Sequence, residues 1–160
     1  MGRTFNLYLG KGGQMAAMSF FLMRGWNVAT PEVDIGDDIF VVDDKKGFFS
    51  RIQVKTSHAV ERENGYSVQF NLPLDQVATS TDPEIYYVFI ICRNGDWSDK
   101  LIIPRQRLDD LHSVSNIGSV YKKNRSLMLY FSFQNDKVMC SGIDFTEFRN
   151  NFNDFPLISH

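Results

Sequence analysis

The chain has no apolar run near the ~20 residues that a bilayer-spanning helix needs, which excludes a helical membrane segment. Its start also lacks the charged stretch, apolar centre and small-residue cleavage site of a secretory leader, so a cytoplasmic protein is expected. Cysteine is scarce. Only Cys92 and Cys140 are present, both in apolar strand-like segments without metal-ligand spacing, and they read as buried free thiols rather than a disulfide or a zinc site. Positive charge is not in excess: 17 Lys and Arg stand against 19 Asp and Glu, a net charge of −2. That argues against a strong non-specific nucleic-acid binder. There is no Ser-His-Asp order and no Cys-His pair in a supporting context. The segment Gly10-Lys-Gly-Gly13 falls short of a phosphate loop, because the full G-x-x-x-x-G-K-[ST] is absent. No repeat, low-complexity tract or linker divides the 160 residues, so one domain over 1–160 is expected.

What the chain does have is core-forming material, with 43% hydrophobic residues and 14 phenylalanines, enough for a folded protein rather than a disordered one. Gly12 to Met23 reads as a helix with Met15, Met18 and Leu22 on one stripe, stopped by Gly25. Strands are expected at Trp26–Thr30, Asp38–Val42, Phe48–Thr56 and Tyr66–Leu72, the last alternating apolar and polar residues. Ile85 to Cys92 is almost continuously apolar and reads as a buried central strand. A further strand at Lys100–Ile103 and a helix from Pro104 to about His112 follow. A second hairpin covers Ser126–Phe133 and Lys137–Ser141. Phe145 to Phe152 reads as a closing helix with Phe145, Phe148 and Phe152 on one face. The order predicts an α+β (mixed α/β) domain on one central, mostly antiparallel or mixed sheet flanked by helices.

The chemistry concentrates between Asp34 and Thr56. Gln53 and Lys55 lie two apart on a strand and share a face, while Ile52 and Val54 point to the opposite one. If Asp43 to Gly47 is the turn, Val42 sits opposite Phe48 and Asp38 falls within one residue of Gln53. A single bulge would then put all three heads on one surface. A carboxylate (Asp38), a second oxygen ligand (Gln53) and a lysine (Lys55) make a small site for Mg²⁺, or Mn²⁺ in its place. Such ions take hard oxygens and are usually held by one or two carboxylates plus substrate phosphate. The lysine would steer the attacking water and balance charge on the phosphate. Lys11 at a helix start and Arg51 beside Lys55 are read as phosphate contacts. His58, Trp97 and Tyr121 are read as surface or packing residues.

Helix, Asp-opened strand and Gln53-x-Lys55 in this order resemble the PD-(D/E)XK nuclease superfamily, over roughly Leu9 to Ser57. The Asp34-x-Gly36-x-Asp38 lead-in resembles a subgroup of small bacterial nuclease-like domains of unknown function. The resemblance implies a restriction-endonuclease-like core and Mg²⁺-dependent hydrolysis of DNA, with RNA as the second choice. It implies Asp38, Gln53 and Lys55 as the catalytic set and Gln14 and Asp34 as peripheral members, and a homodimer by analogy. Gln14 and Gln53 depart from the acids that the pattern favours. The alternative is therefore a catalytically inactive nuclease-fold domain that binds nucleic acid or a protein partner.

Overall fold

A computed structural model describes residues 2–160. The elements in chain order are α1 (Arg3–Met23), β1 (Asn27–Ala29), β2 (Ile39–Asp43), β3 (Phe48–His58), β4 (Val60–Arg62), β5 (Gly65–Pro73) and α2 (Leu74–Ala78). There follow β6 (Ile85–Arg93), β7 (Asp96–Pro104), α3 (Arg105–Ser115), β8 (Ser119–Tyr121), β9 (Ser126–Gln134), β10 (Lys137–Cys140), β11 (Ile143–Asp144) and one 3-10 turn at Thr146–Phe148. The α+β class holds. The strands, however, divide between two sheets rather than forming one. A five-stranded mixed sheet runs β1-β2-β3-β6-β7, with β3 and β6 parallel and the other neighbours antiparallel. A six-stranded antiparallel sheet runs β11-β10-β9-β5-β4, with β8 paired to β9.

Strand β6 shows why two cores exist. Its residues alternate sides, and both sides are buried. Val88 and Ile90 join Ala17 and Phe21 of α1 in one cluster, while Tyr87, Phe89 and Ile91 join Phe70, Leu129 and Phe131 of the second sheet in the other. A continuous apolar run is what a strand covered on both faces requires. Cys92 and Cys140 are buried free thiols, as expected.

Helix α1 begins nine residues before the expected start and runs through Gly10, Gly12 and Gly13. Mid-helix glycines cost about 1 kcal/mol each relative to Ala, and packing offsets this. The buried stripe is Gly13, Ala17 and Phe21, and a Cβ on Gly13 would collide with the Thr56 side chain of β3. Glycine is what lets the helix lie against that strand. At the other end Gly25 (φ +82°) turns the chain, with the Trp26 N–H donating to Phe21 O and the Gly25 N–H to Leu22 O, the paired bonds of a Schellman stop.

The expected closing helix over Phe145–Phe152 is replaced by one 3-10 turn and an extended segment. Two interactions draw the backbone away from a helix. Arg149 bridges Leu101 on the edge strand β7, and the Asn150 N–H donates to Lys100 O at 2.8 Å. The three phenylalanines do not share one face: Phe145 and Phe148 enter the core between the sheets, and Phe152 packs with Phe20 and Phe21. Helix α3 begins at Arg105 with Pro104 as its N-cap, and it runs three residues past His112 to a left-handed Asn116.

Candidate active site

Strand β3 is eleven residues long and β2 only five. Their ladder pairs Asp43 with Phe48 and Ile39 with Ile52, one residue on from the expected register. The ladder ends at that pair, and Asp38 just before it is bonded through its backbone to Ile52 rather than to Gln53. The Asp38 N–H donates to Ile52 O at 2.8 Å. Beyond this point β3 continues to His58 with β6 on one side and no described strand on the other. The open side is covered by the first half of α1 and the 34–38 loop.

The structure brings Gln14, Asp34, Asp38, Gln53, Lys55 and Lys11 to the wall of one cleft of about 460 Å³. Asp38 Oδ2 accepts two hydrogen bonds of 2.6 Å, from Gln53 Nε2 and from the Val54 N–H. Gln14 ties α1 to this point, its Nε2 donating to the Asp38 carbonyl at 3.0 Å while its Oε1 accepts from Lys11 Nζ at 3.0 Å. Asp34 Oδ1 accepts from the Gly36 N–H, and Gly36 holds the loop at φ +109°, where a side chain would meet Gln76. Arg51 is placed elsewhere. Its guanidinium grips both oxygens of the buried Asp37 at 3.1 and 3.3 Å and lies outside the cleft.

Burial raises the Asp38 carboxyl pKa above its usual range, against the Val54 hydrogen bond and the Lys55 charge, which pull it down. Burial lowers that of the Lys55 ammonium, opposed by the charges of Asp38 and Asp34. Each group is moved toward neutrality by desolvation and held charged by the other.

Two contributors are invisible in the motif. Gln76 of α2 donates through Nε2 to Gln53 Oε1 at 3.3 Å and also to Gly36 O, and its Oε1 accepts from the Tyr87 hydroxyl at 2.8 Å. This chain fixes the Gln53 amide with nitrogen toward Asp38 and oxygen toward Gln76. The adjacent hydroxyls of Tyr86 and Tyr87 within an otherwise apolar β6 run were the available signal. His58, expected on the surface, closes β3 stacked on Phe5 at 5.4 Å with its Nε2 buried. Trp97 is a packing residue, its ring 3.3 Å from where a Cβ on Gly12 would be.

The cleft offers the carboxylate oxygens of Asp34 and Asp38, which suit Mg²⁺ or Mn²⁺ rather than zinc, while the amide oxygens of Gln14 and Gln53 accept from Lys11 and Gln76. Among the described residues no three His, Cys, Asp or Glu side chains gather as a metal cluster, so an ion would depend on Asp38 and on substrate. Among the described residues no helix is long and apolar enough to cross a membrane.

No family model matches the sequence, and no curated protein matches it. Among solved structures, a bacterial homing endonuclease superposes over 68% of this chain and 74% of its own, with 19% identity and a TM-score of 0.45. Overlap of that degree assigns neither family nor activity.

Proposed function

We propose that this is a metal-dependent phosphodiesterase on a restriction-endonuclease-like core of PD-(D/E)XK type, hydrolysing DNA, with RNA the second choice. The observation that carries the reading is the convergence of Asp38, Gln53, Lys55 and Gln14 on one cleft, produced by a strand register rather than by chance proximity. Asp38 would hold Mg²⁺ or Mn²⁺, the Gln53 amide would have to turn over to offer its oxygen in place of the nitrogen that faces Asp38, and Asp34 lies at the rim. When bound, the ion supplies a lowered water pKa and charge against the phosphate oxygens. Lys55 positions the attacking water and, with its depressed pKa, passes a proton more readily than an exposed lysine. Gln14 sets the height of the Asp38 backbone, and Lys11 is placed to meet a phosphate. A cytoplasmic homodimer is part of this reading by analogy.

The test is purified protein with plasmid, branched and single-stranded DNA in Mg²⁺ or Mn²⁺. Cleavage is expected, with a loss of about 100-fold or more in Asp38→Ala and Lys55→Ala. Cleavage undiminished by both changes refutes the assignment.

A second reading is a nuclease-fold domain that binds without cutting. It is favoured by the Gln53 amide nitrogen occupying the Asp38 oxygen that an ion would need. It predicts no heat on Mn²⁺ addition and nucleic-acid binding that survives Asp38→Ala.

A further inference from the structure

A second hollow of about 480 Å³ adjoins the catalytic cleft and shares two of its walls, Asn6 of α1 and Lys55 of β3. It lies where β3 of the mixed sheet and β5 of the antiparallel sheet diverge. On that side β4 pairs β5 only from Gly65 to Ser67, so the stretch from Val68 onward borders the hollow without a covering strand. The two hollows differ in charge. The catalytic one holds Asp34 and Asp38, whereas the second holds no carboxylate and only Lys55 as a cation, at the boundary. Its other polar walls are amides, hydroxyls and an imidazole: Asn6, Thr56, Ser57, His58, Gln69 and Asn71. Gln69 and Asn71 are two apart on β5 and exposed on one side, while Phe70 between them is buried in the core. His58 is braced against Phe5, and its Nε2 is buried without a partner among the described residues.

We propose that this second hollow is a nucleobase subsite, holding one unpaired base of the strand whose phosphate lies at Lys55. The inference rests on the phosphodiesterase reading and names the substrate form. Amides, hydroxyls and an imidazole present donors and acceptors side by side, which suits the edge of a base. A phosphate binder would carry several cations. Asn and Gln are among the residue types that recognise base edges, adenine above all. The size falls in the range of small-ligand pockets, ~300–1,000 Å³. A base enters such a hollow only when it is unpaired or turned out of a duplex. The preferred substrate is therefore single-stranded, or a duplex with a frayed, flapped or mismatched nucleotide at the cutting point.

The test is fluorescence anisotropy in EDTA, with labelled single strands of about 12 nucleotides, in the span that single-strand grooves cover. An abasic strand of equal length and a full duplex are the comparisons. The ordinary strand should bind wild-type protein about tenfold more tightly than the abasic one, the size of one or two hydrogen bonds with stacking. That gap should shrink to about twofold or less in Gln69→Ala/Asn71→Ala, whose side chains are exposed and outside the core. Equal binding of abasic and ordinary strands by wild-type protein overturns the subsite without needing any variant. So does a gap that the double variant leaves intact. Either result leaves hydrolysis standing if Asp38→Ala still abolishes cleavage. Failure of every oligonucleotide to bind also overturns the subsite, and cleavage in Mg²⁺ or Mn²⁺ then decides the hydrolysis reading separately.

Discussion

Restoring a carboxylate at position 53 should destabilise the protein without metal and make its stability metal-dependent. In the native arrangement Gln53 Nε2 donates to Asp38 Oδ2 at 2.6 Å, and the Val54 N–H shares that oxygen. Gln53→Glu replaces the donor by an acceptor. It removes one hydrogen bond to a charged group, worth about 1.5–3 kcal/mol, and brings two carboxylates together in a site where burial already pushes Asp38 up. One of the pair then binds a proton, which limits the repulsion. We expect a loss of about 2–3 kcal/mol at neutral pH, or about 4–12 °C in melting temperature for a domain of this size.

Saturating Mn²⁺ should reverse much of it, since a ligand at about 100 times its Kd stabilises the folded state by about 2.7 kcal/mol. Wild-type protein should gain less, because its amide nitrogen faces the ion. The sign with pH follows from the raised carboxyl: the shared proton stabilises the variant at low pH and is lost as pH rises, so the deficit should be smaller at pH 5 than at pH 7.5. Thermal melts in EDTA and across a Mn²⁺ titration decide it. Equal melting of variant and wild type in EDTA, or the same Mn²⁺ shift in both, would refute the reasoning.

Three further expectations are independent of metal. Gly13→Ala should destabilise by about 1–3 kcal/mol through overpacking against Thr56, despite a better helix propensity. Thr56→Ala in the same chain should recover part of it, as read by chemical denaturation, because Thr56 Oγ1 has no partner to lose among the described residues. Gln76→Ala should cost about 1–3 kcal/mol by leaving the Tyr87 hydroxyl and Gln53 Oε1 short of partners, and Tyr87→Phe should cost less; denaturant midpoints rank them. For Asp99, burial raises the carboxyl pKa, but Arg149, Tyr66 and Asn150 outweigh it and hold it below the usual range. Its contribution is present above the unfolded pKa and lost as pH falls through the folded one. Asp99→Asn should therefore flatten the acid limb of a stability-versus-pH curve below about pH 4.

The site's skeleton was legible because strand alternation and a short hairpin act over few residues. Gln53 and Lys55 share a face by the two-residue repeat, and Asp38 meets them by counting back across one turn. The count was one residue out, since the turn begins after Asp43 rather than at it. What could not be read was supplied from far along the chain. Gln76 reaches the site from α2 and Tyr87 from β6. Arg51 sits next to the motif but is claimed by Asp37, a buried partner in the loop before β2. The long α1 and the missing closing helix have the same origin. In each, a tertiary contact outweighed local preference: Thr56 against Gly13, and β7 against Arg149 and Asn150.

The position of the cleft follows from unequal strand lengths. A ladder leaves backbone groups unpaired wherever one strand outruns its neighbour, and buried groups of that kind must find other partners. Here β2 stops at Ile39 while β3 runs on to His58, and the first group past the end, the Val54 N–H, is satisfied by the Asp38 carboxylate instead of by backbone. That one bond orients the acid toward the gap that the missing strand would fill. Gln14 then closes the same gap from α1 by taking the Asp38 carbonyl. The polar groups gather there because the sheet has run out of partners for them. Lengthening β2 by converting the Gly36–Asp37 turn to strand would therefore remove the cleft while strengthening the sheet.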